Sequence, residues 1–285
     1  MESSAKPGLL FNWTRHDIEQ RFRFQGGKFT DTNANFTFLA AAAATTVAYF
    51  ALGALAQTME APLIDKFTER GYIPAIIALF FFWTVAILLV KRFKTSFQRS
   101  LLTVAVIPAE RGFCLTPATA QKCLQKIEQM TDDPANFIVL NRIEVALSNL
   151  RNIGNISDVS AILTAQSAKD EQLVASSFNL ASGFVWAIPV FGFIGTVIGL
   201  AHAIEGFGAT LQLATDLEAI KGSMTLVVQG LSTAFDTTLL ALVAAVILQL
   251  FISFQKRREI QLLDECDSYC QQQIINKLRL QKDVS

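Results

Sequence analysis

The stretch FVWAIPVFGFIGTVIGL, Phe184–Leu200, decides how this chain is read, together with GLSTAFDTTLLAL, Gly230–Leu242. Each sits in an apolar run long enough to cross a bilayer. Each also carries glycines and hydroxyls where lipid would favour plain hydrocarbon. Polar atoms at membrane depth face protein or water rather than lipid. The pattern is that of a conducting or coupling element and exceeds what a simple anchor needs.

Outward from these stretches lie four apolar blocks: Phe36–Gln57, Tyr72–Val90, Ser182–Ile204 and Met224–Phe254. Each reaches the roughly 20 residues that span the hydrocarbon core. The fourth is long enough to run on beyond the membrane as helix. These blocks explain why only 17% of the 285 residues are charged, against about a quarter in soluble domains. The segment 1–35 carries Arg15, Arg21, Arg23 and Lys28 and no apolar signal region, so the first block is expected to be an uncleaved anchor.

Basic residues near the block ends set the orientation. Lys91, Arg92, Lys94 and Arg99 follow the second block, and Lys256, Arg257 and Arg258 follow the fourth. The other two connections hold only Lys66, Arg70 and Lys221. The expected arrangement is therefore a cytoplasmic segment 1–35, two spanning helices over 36–90, a cytoplasmic helical region 91–181, two further spanning helices over 182–254, and a cytoplasmic helix 255–285. The fold class is all-α membrane protein with long cytoplasmic helical extensions. The net charge of zero hides this asymmetry, and no nucleic-acid partner is expected.

Within 91–181, Ala118–Met130 reads as a short helix closed by the turn signal Thr131-Asp132-Asp133-Pro134. Leu140, Ile143, Leu147 and Leu150 recur at helical spacing, and Gly154-Asn155 breaks that helix. Ser157 or Asp158 is placed to cap the next helix, which has no breaker before Pro189, so one continuous helix is expected from about Asp158 into the third block. Arg142, Glu144 and Arg151 read as a solvated helix face, or as contacts to a soluble partner. In the tail, Ile260, Leu263, Cys266, Asp267 and Cys270 form a weak stripe for helix–helix packing. The cysteines read as reduced free thiols.

No phosphate loop, HExxH motif or nucleophile constellation occurs, so no enzyme activity, metal or cofactor is expected. The polar atoms of the spanning blocks carry the functional reading. In the third block, Gly195 and Gly199 form a GxxxG pair beside Pro189 and Gly192, which permits close helix approach. Thr196 flanks that face, either as a channel hydroxyl or bonded to its own backbone one turn back. In the fourth block Gly230, Ala234, Thr238, Ala241 and Ala245 share one helix face, and Gln229, Thr233 and Asp236 share another. Asp236 is the one charged residue well inside a block. Burying it costs roughly 2.5–3.5 kcal/mol, which points either to a used charge or to a hydrogen-bonded packing residue. Thr237 and Thr238 also offer oxygens suited to Na⁺. His202 and Glu205 read as a surface pair, or as a proton-accepting vestibule.

At these residues the chain resembles the MotA/TolQ/ExbB proton-channel family. The pattern P-x-x-G-x-x-G-T-V-x-G of its penultimate membrane helix stands here as Pro189, Gly192, Gly195, Thr196, Val197 and Gly199, with Phe207 as the following aromatic. Ala234, Phe235 and Thr238 match the looser A-L-x-x-T pattern of its last helix. The resemblance implies a subunit of a bacterial inner-membrane motor, a homopentameric ring around two copies of a single-helix partner of the MotB/TolR/ExbD kind. That partner carries an ionisable aspartate, and Thr196 and Thr238 would face it from the pore. The family also implies mechanical work on a client such as a flagellar rotor or outer-membrane protein transport. Where relatives often carry glutamate before A-L, this chain has Thr233; Asp236, one turn on, replaces that acid on nearly the same face. On this reading Gly230, Ala234, Thr238 and Ala241 line a hole for the partner's helix, in contact with lipid only at the outside of the ring. A Na⁺-driven motor and a non-conducting membrane scaffold are the other readings.

Overall fold

The computed structural model describes residues 11–56, 72–104, 106–108, 113–148, 150, 156–213 and 217–279. Nine α-helices run through them: α1 Trp13–His16, α2 Ile18–Arg21, α3 Ala34–Ala56, α4 Ile73–Ser100, α5 Pro117–Met130, α6 Ile138–Ser148, α7 Ile156–Ser176, α8 Asn179–Leu213 and α9 Leu217–Gln273. Only isolated bridges, Phe11 with Thr131 and Leu115 with Leu278, represent β pairing among the described residues. Four helical runs are long and apolar enough to cross a membrane, in Ala34–Leu55, Ile73–Thr103, Ile156–Gly208 and Gly230–Lys277. Each overlaps one of the four blocks.

The chain divides into two compact units. One comprises Thr37–Leu88 and Asn179–Ser253. Its core is aliphatic: Ile73 and Ile77 of α4, Ile188 of α8, and Ala241, Ala245 and Leu248 of α9. Aromatic rings extend it, with Phe184 stacked on Phe80 at 5.0 Å and 4.5 Å from Trp83. The Trp83 indole N–H donates to Thr37 Oγ1 at 3.1 Å, giving a buried polar edge its partner.

The other unit comprises Met1–Phe36, Leu89–Phe178 and Phe254–Ser285. Here α6 buries Leu140, Ile143 and Leu147, whose helical spacing foretold it, and also Ile138; Leu150 is buried beyond its end. Thr116 and Thr119 form a reciprocal capping box at the start of α5, with Pro117 at its first position. Asp132 ties the N-terminal segment to the turn after α5. It accepts from the backbone N–H of Trp13 at 2.7 Å and of Thr14 at 2.9 Å, and from Thr14 Oγ1 at 2.7 Å. Burial alone would raise this carboxyl; the hydrogen bonds outweigh it and hold the carboxyl below its usual range.

Three expectations about this unit are corrected. The helix expected from Asp158 into the third block is two helices, because Ser177 and Phe178 interrupt it. Ser177 Oγ donates to the Val174 carbonyl at 2.6 Å and receives Lys91 Nζ at 2.7 Å. That side-chain bonding competes with the helical ladder, so a break forms without Gly or Pro. Ser157 and Asp158 are not the cap of α7, which begins at Ile156; Asp158 lies in its first turn. In the tail, the buried face is Leu262, Leu263, Cys266, Cys270 and Ile274, whereas Ile260 is exposed. The break expected at Gly154-Asn155, and Arg151, lie outside the described residues.

Candidate functional site

The glycines of α8 and the small residues of α9 meet each other. A Cβ on Gly192 would stand 2.6 Å from Ala241 Cβ, and one on Gly230 would stand 2.7 Å from Ala203 Cβ. A Cβ on Gly195 would lie 3.0 Å from Thr237 Oγ1, and one on Gly199 would lie 3.4 Å from Ala234 Cβ. The backbones are therefore in near contact along about three helical turns. The face Gly230–Ala234–Thr238–Ala241, expected to line an open hole, is covered by α8 of the same chain. A small-residue stripe attracts the nearest matching stripe, and α8 is one connection away.

The hydroxyls are distributed accordingly. Thr238 Oγ1 crosses the seam and donates to the Gly192 carbonyl at 2.9 Å. Thr237 is buried and donates to the Ala234 carbonyl of its own helix at 2.8 Å. Thr196 is half-buried and donates to the Phe193 carbonyl at 2.6 Å, the backbone-bonded alternative of its two readings. Asp236 is half-buried on α9. The side chain of Thr233 lies outside what is described. Pro189 sits within α8, which continues through it despite the missing N–H. His202 and Glu205 are both largely exposed, with Nδ1 and Oε2 3.9 Å apart, an arrangement that fits a surface pair.

Beyond the spanning segments the structure gathers charged groups that hydropathy does not reveal. Lys91 is fully buried. Its ammonium donates to Glu259 at 3.1 Å and to Ser177, and it lies 4.1 Å from the centre of the Phe178 ring. Glu259 also accepts from Thr30 Oγ1 at 2.7 Å, and Gln255 Nε2 donates to Glu259 and to Thr95 Oγ1. Desolvation pushes the Lys91 ammonium down from its usual range, against the pull of Glu259. Lys94 is likewise buried, against Glu19 and Asp17. Arg142, read as a solvated or partner-facing residue, is fully buried between Asp170 and Asp267. Glu144 beside it is half-buried. The signal available in advance was spacing: Lys91 and Lys94 stand one turn apart on α4 and so share a face.

Residues 135–267 match the model of the MotA/TolQ/ExbB proton channel family. The match takes in α6, α7, α8 and most of α9, hence both motifs that carry the resemblance. No curated protein gives a significant match, and no solved structure does. The match and the four apolar helices support a multi-pass membrane protein whose residues 135–267 are similar to a proton-channel family.

Proposed function

We propose that this chain is the proton-conducting subunit of an inner-membrane motor complex. Copies of it form a ring, five by family resemblance, around two single-helix partners that supply the titrating carboxylate. The observation that supports this reading is the tightly seamed α8–α9 pair inside the matched segment, with Thr237 and Thr238 at the seam and Thr196 and Asp236 on the same two helices. Because the small-residue stripe is occupied within the chain, the partner's helix meets the outer side of this pair. There α8 presents Trp186, Val190, Phe193, Val197, Leu200 and Ile204. These recur at alternating four- and three-residue steps, the spacing by which one helix seats against another.

The test is ion flux in vesicles holding this chain and its partner. Thr196→Val and Thr238→Val keep side-chain shape and remove the hydroxyl; each is expected to lower flux several-fold with the ring still assembled. Asp236→Asn is expected to lower flux more than Asp236→Glu. Wild-type flux in all of these variants would leave only the scaffold reading. Replacing Na⁺ in the buffer separates the two ion choices, and proton drive predicts unchanged flux.

The proposed orientation has its own check. Of the four cysteines, Cys114 is exposed and the other three are buried. Burial pushes the Cys270 thiol up to about 12, which keeps it unreactive. An impermeant thiol reagent on intact cells is expected to miss Cys114 and to modify a cysteine introduced at Ala61 or Thr215. After permeabilisation, Cys114 alone of the native four is expected to react. Labelling of Cys114 from outside would invert the topology.

A further inference from the structure

Asp17, Glu19 and Lys94 meet beneath Gly26. All three side chains are at least nine-tenths buried. Lys94 Nζ donates to Glu19 Oε2 at 2.5 Å and to the Asp31 carbonyl at 2.7 Å, and it lies 3.6 Å from Asp17 Oδ1. Glu19 Oε1 accepts from the Asn33 N–H at 2.6 Å. Asp17 Oδ1 accepts from the Glu19 N–H at 3.2 Å, whereas Asp17 Oδ2 is buried with no hydrogen-bond partner. A Cβ built on Gly26 would stand 2.2 Å from Asp17 Oδ2, 3.0 Å from Glu19 Oε2 and 3.2 Å from Lys94 Nζ. The glycine is thus required for space, so that backbone can close over the three groups.

The charge count is unbalanced. One ammonium faces two carboxylates. Lys91, one turn back on α4, is taken by Glu259. His16, beside the cluster, is exposed, stacks on Phe97 at 4.4 Å and turns its Nδ1 to the Asn12 carbonyl at 3.1 Å. The Asp31 carboxylate is exposed and accepts from the Thr32 N–H. A buried, uncompensated carboxylate takes up a proton in preference to remaining charged. A proton on Glu19 would also supply a donor for the orphaned Asp17 oxygen beside it.

We infer that Glu19, buried beside Asp17 under Gly26, is a proton-binding carboxyl, and that its proton fastens residues 11–33 to α4. The direction of the Glu19 carboxyl agrees: burial raises it, the Asp17 charge adds to this, and Lys94 and the Asn33 N–H oppose it. The sign follows. A carboxyl raised in the folded state contributes stability that is complete below its unfolded value of 4.5 and is lost as pH climbs through the folded value. The latch therefore tightens in acid and loosens toward alkaline pH. It joins residues 11–33 to the Lys94 turn of α4. Ion flux is not its readout.

The experiment is hydrogen–deuterium exchange on the full chain in lipid nanodiscs over a pH series, corrected for intrinsic exchange. Protection of residues 11–33 is expected to fall as pH rises, by up to about tenfold per pH unit where one proton governs opening. Residues 138–148 serve as the internal control and should hold. Asp17→Asn and Glu19→Gln remove one charge at nearly constant shape; each is expected to keep residues 11–33 protected and to abolish the pH dependence. Infrared difference spectra should show a protonated carboxyl in the wild type that both variants lose. Protection independent of pH in the wild type would overturn the inference. So would an unchanged transition in both variants, or loss of protection at every pH in both, which would mean that the carboxylates serve only as partners of Lys94.

Discussion

Arg142→Ala is expected to destabilise the unit that contains α6 and α7 by about 3–5 kcal/mol, the cost of stranding one half of a buried ion pair. The Arg142 guanidinium is fully buried. Its Nε donates to Asp170 Oδ2 at 2.7 Å, its Nη1 to Asp267, and its Nη2 to Ser167 Oγ at 3.4 Å. It thus joins α6 to α7 and to the far part of α9 through one rigid fork, a geometry that Lys cannot copy. Without it Asp170 is buried and charged with no counterion. Desolvation already pushes that carboxyl up, against the hydrogen bond and charge of Arg142 that hold it down. Urea denaturation of the detergent-solubilised protein, followed by helicity, measures the loss. Asp267→Asn should cost far less, because that side chain is 44% exposed and solvent screens it. Arg142→Met combined with Asp170→Leu should recover most of the loss, since an apolar pair of similar volume removes the desolvation penalty as well. An Arg142→Ala variant as stable as the wild type would show that the network contributes nothing.

Arg142 also marks where reading residues one at a time stops. The apolar blocks were legible because a bilayer demands length and hydrophobicity, both local properties. The α6 face was legible because Ile143 and Leu147 repeat with the helical period. The burial of Arg142 was not, because it depends on Asp170 and Asp267 arriving from distant parts of the chain. Lys91 and Lys94 show the same limit more sharply. As charges past the end of a spanning block they inform orientation, yet in the fold they are interior groups paired with Glu259 and Glu19. The helix break at Ser177–Phe178 was invisible for a related reason, since its cause is partly the ammonium of Lys91. For the candidate site, the period of Gly192, Gly195 and Gly199 identified a close-packing face. Periodicity names a face and leaves its partner open. Whether α8 met α9 of its own chain or a foreign helix was decided by three-dimensional proximity alone.

That seam yields the other large effect. Gly192→Val is expected to abolish ion flux, while Gly183→Ala and Gly206→Ala leave it unchanged. At Gly192 even the first added carbon would sit 2.6 Å from Ala241 Cβ and 3.3 Å from the Thr238 Cα. Both neighbours belong to or adjoin the α9 backbone, so no flexible side-chain end can yield and the helices must separate. Overpacking of this kind costs roughly 1–3 kcal/mol. Separation also breaks the Thr238–Gly192 hydrogen bond at 2.9 Å, and membrane bonds of this sort average about 0.6 kcal/mol. The functional loss should exceed the thermodynamic one, because a displaced α9 carries Asp236 and Thr237 with it. A Cβ added at Gly183 or Gly206 would have no atom of another element within 4 Å, so a methyl there meets open space. The decisive arm is a swap. Gly192→Ala alone should weaken flux, and adding Ala241→Gly should restore it, because the exchange returns the missing volume to the same point in the seam. Restoration would locate the contact between these two residues of one chain. A Gly192→Val protein with wild-type flux, or a swap that worsens the single variant, would mean that α8 and α9 do not close on each other in the working complex.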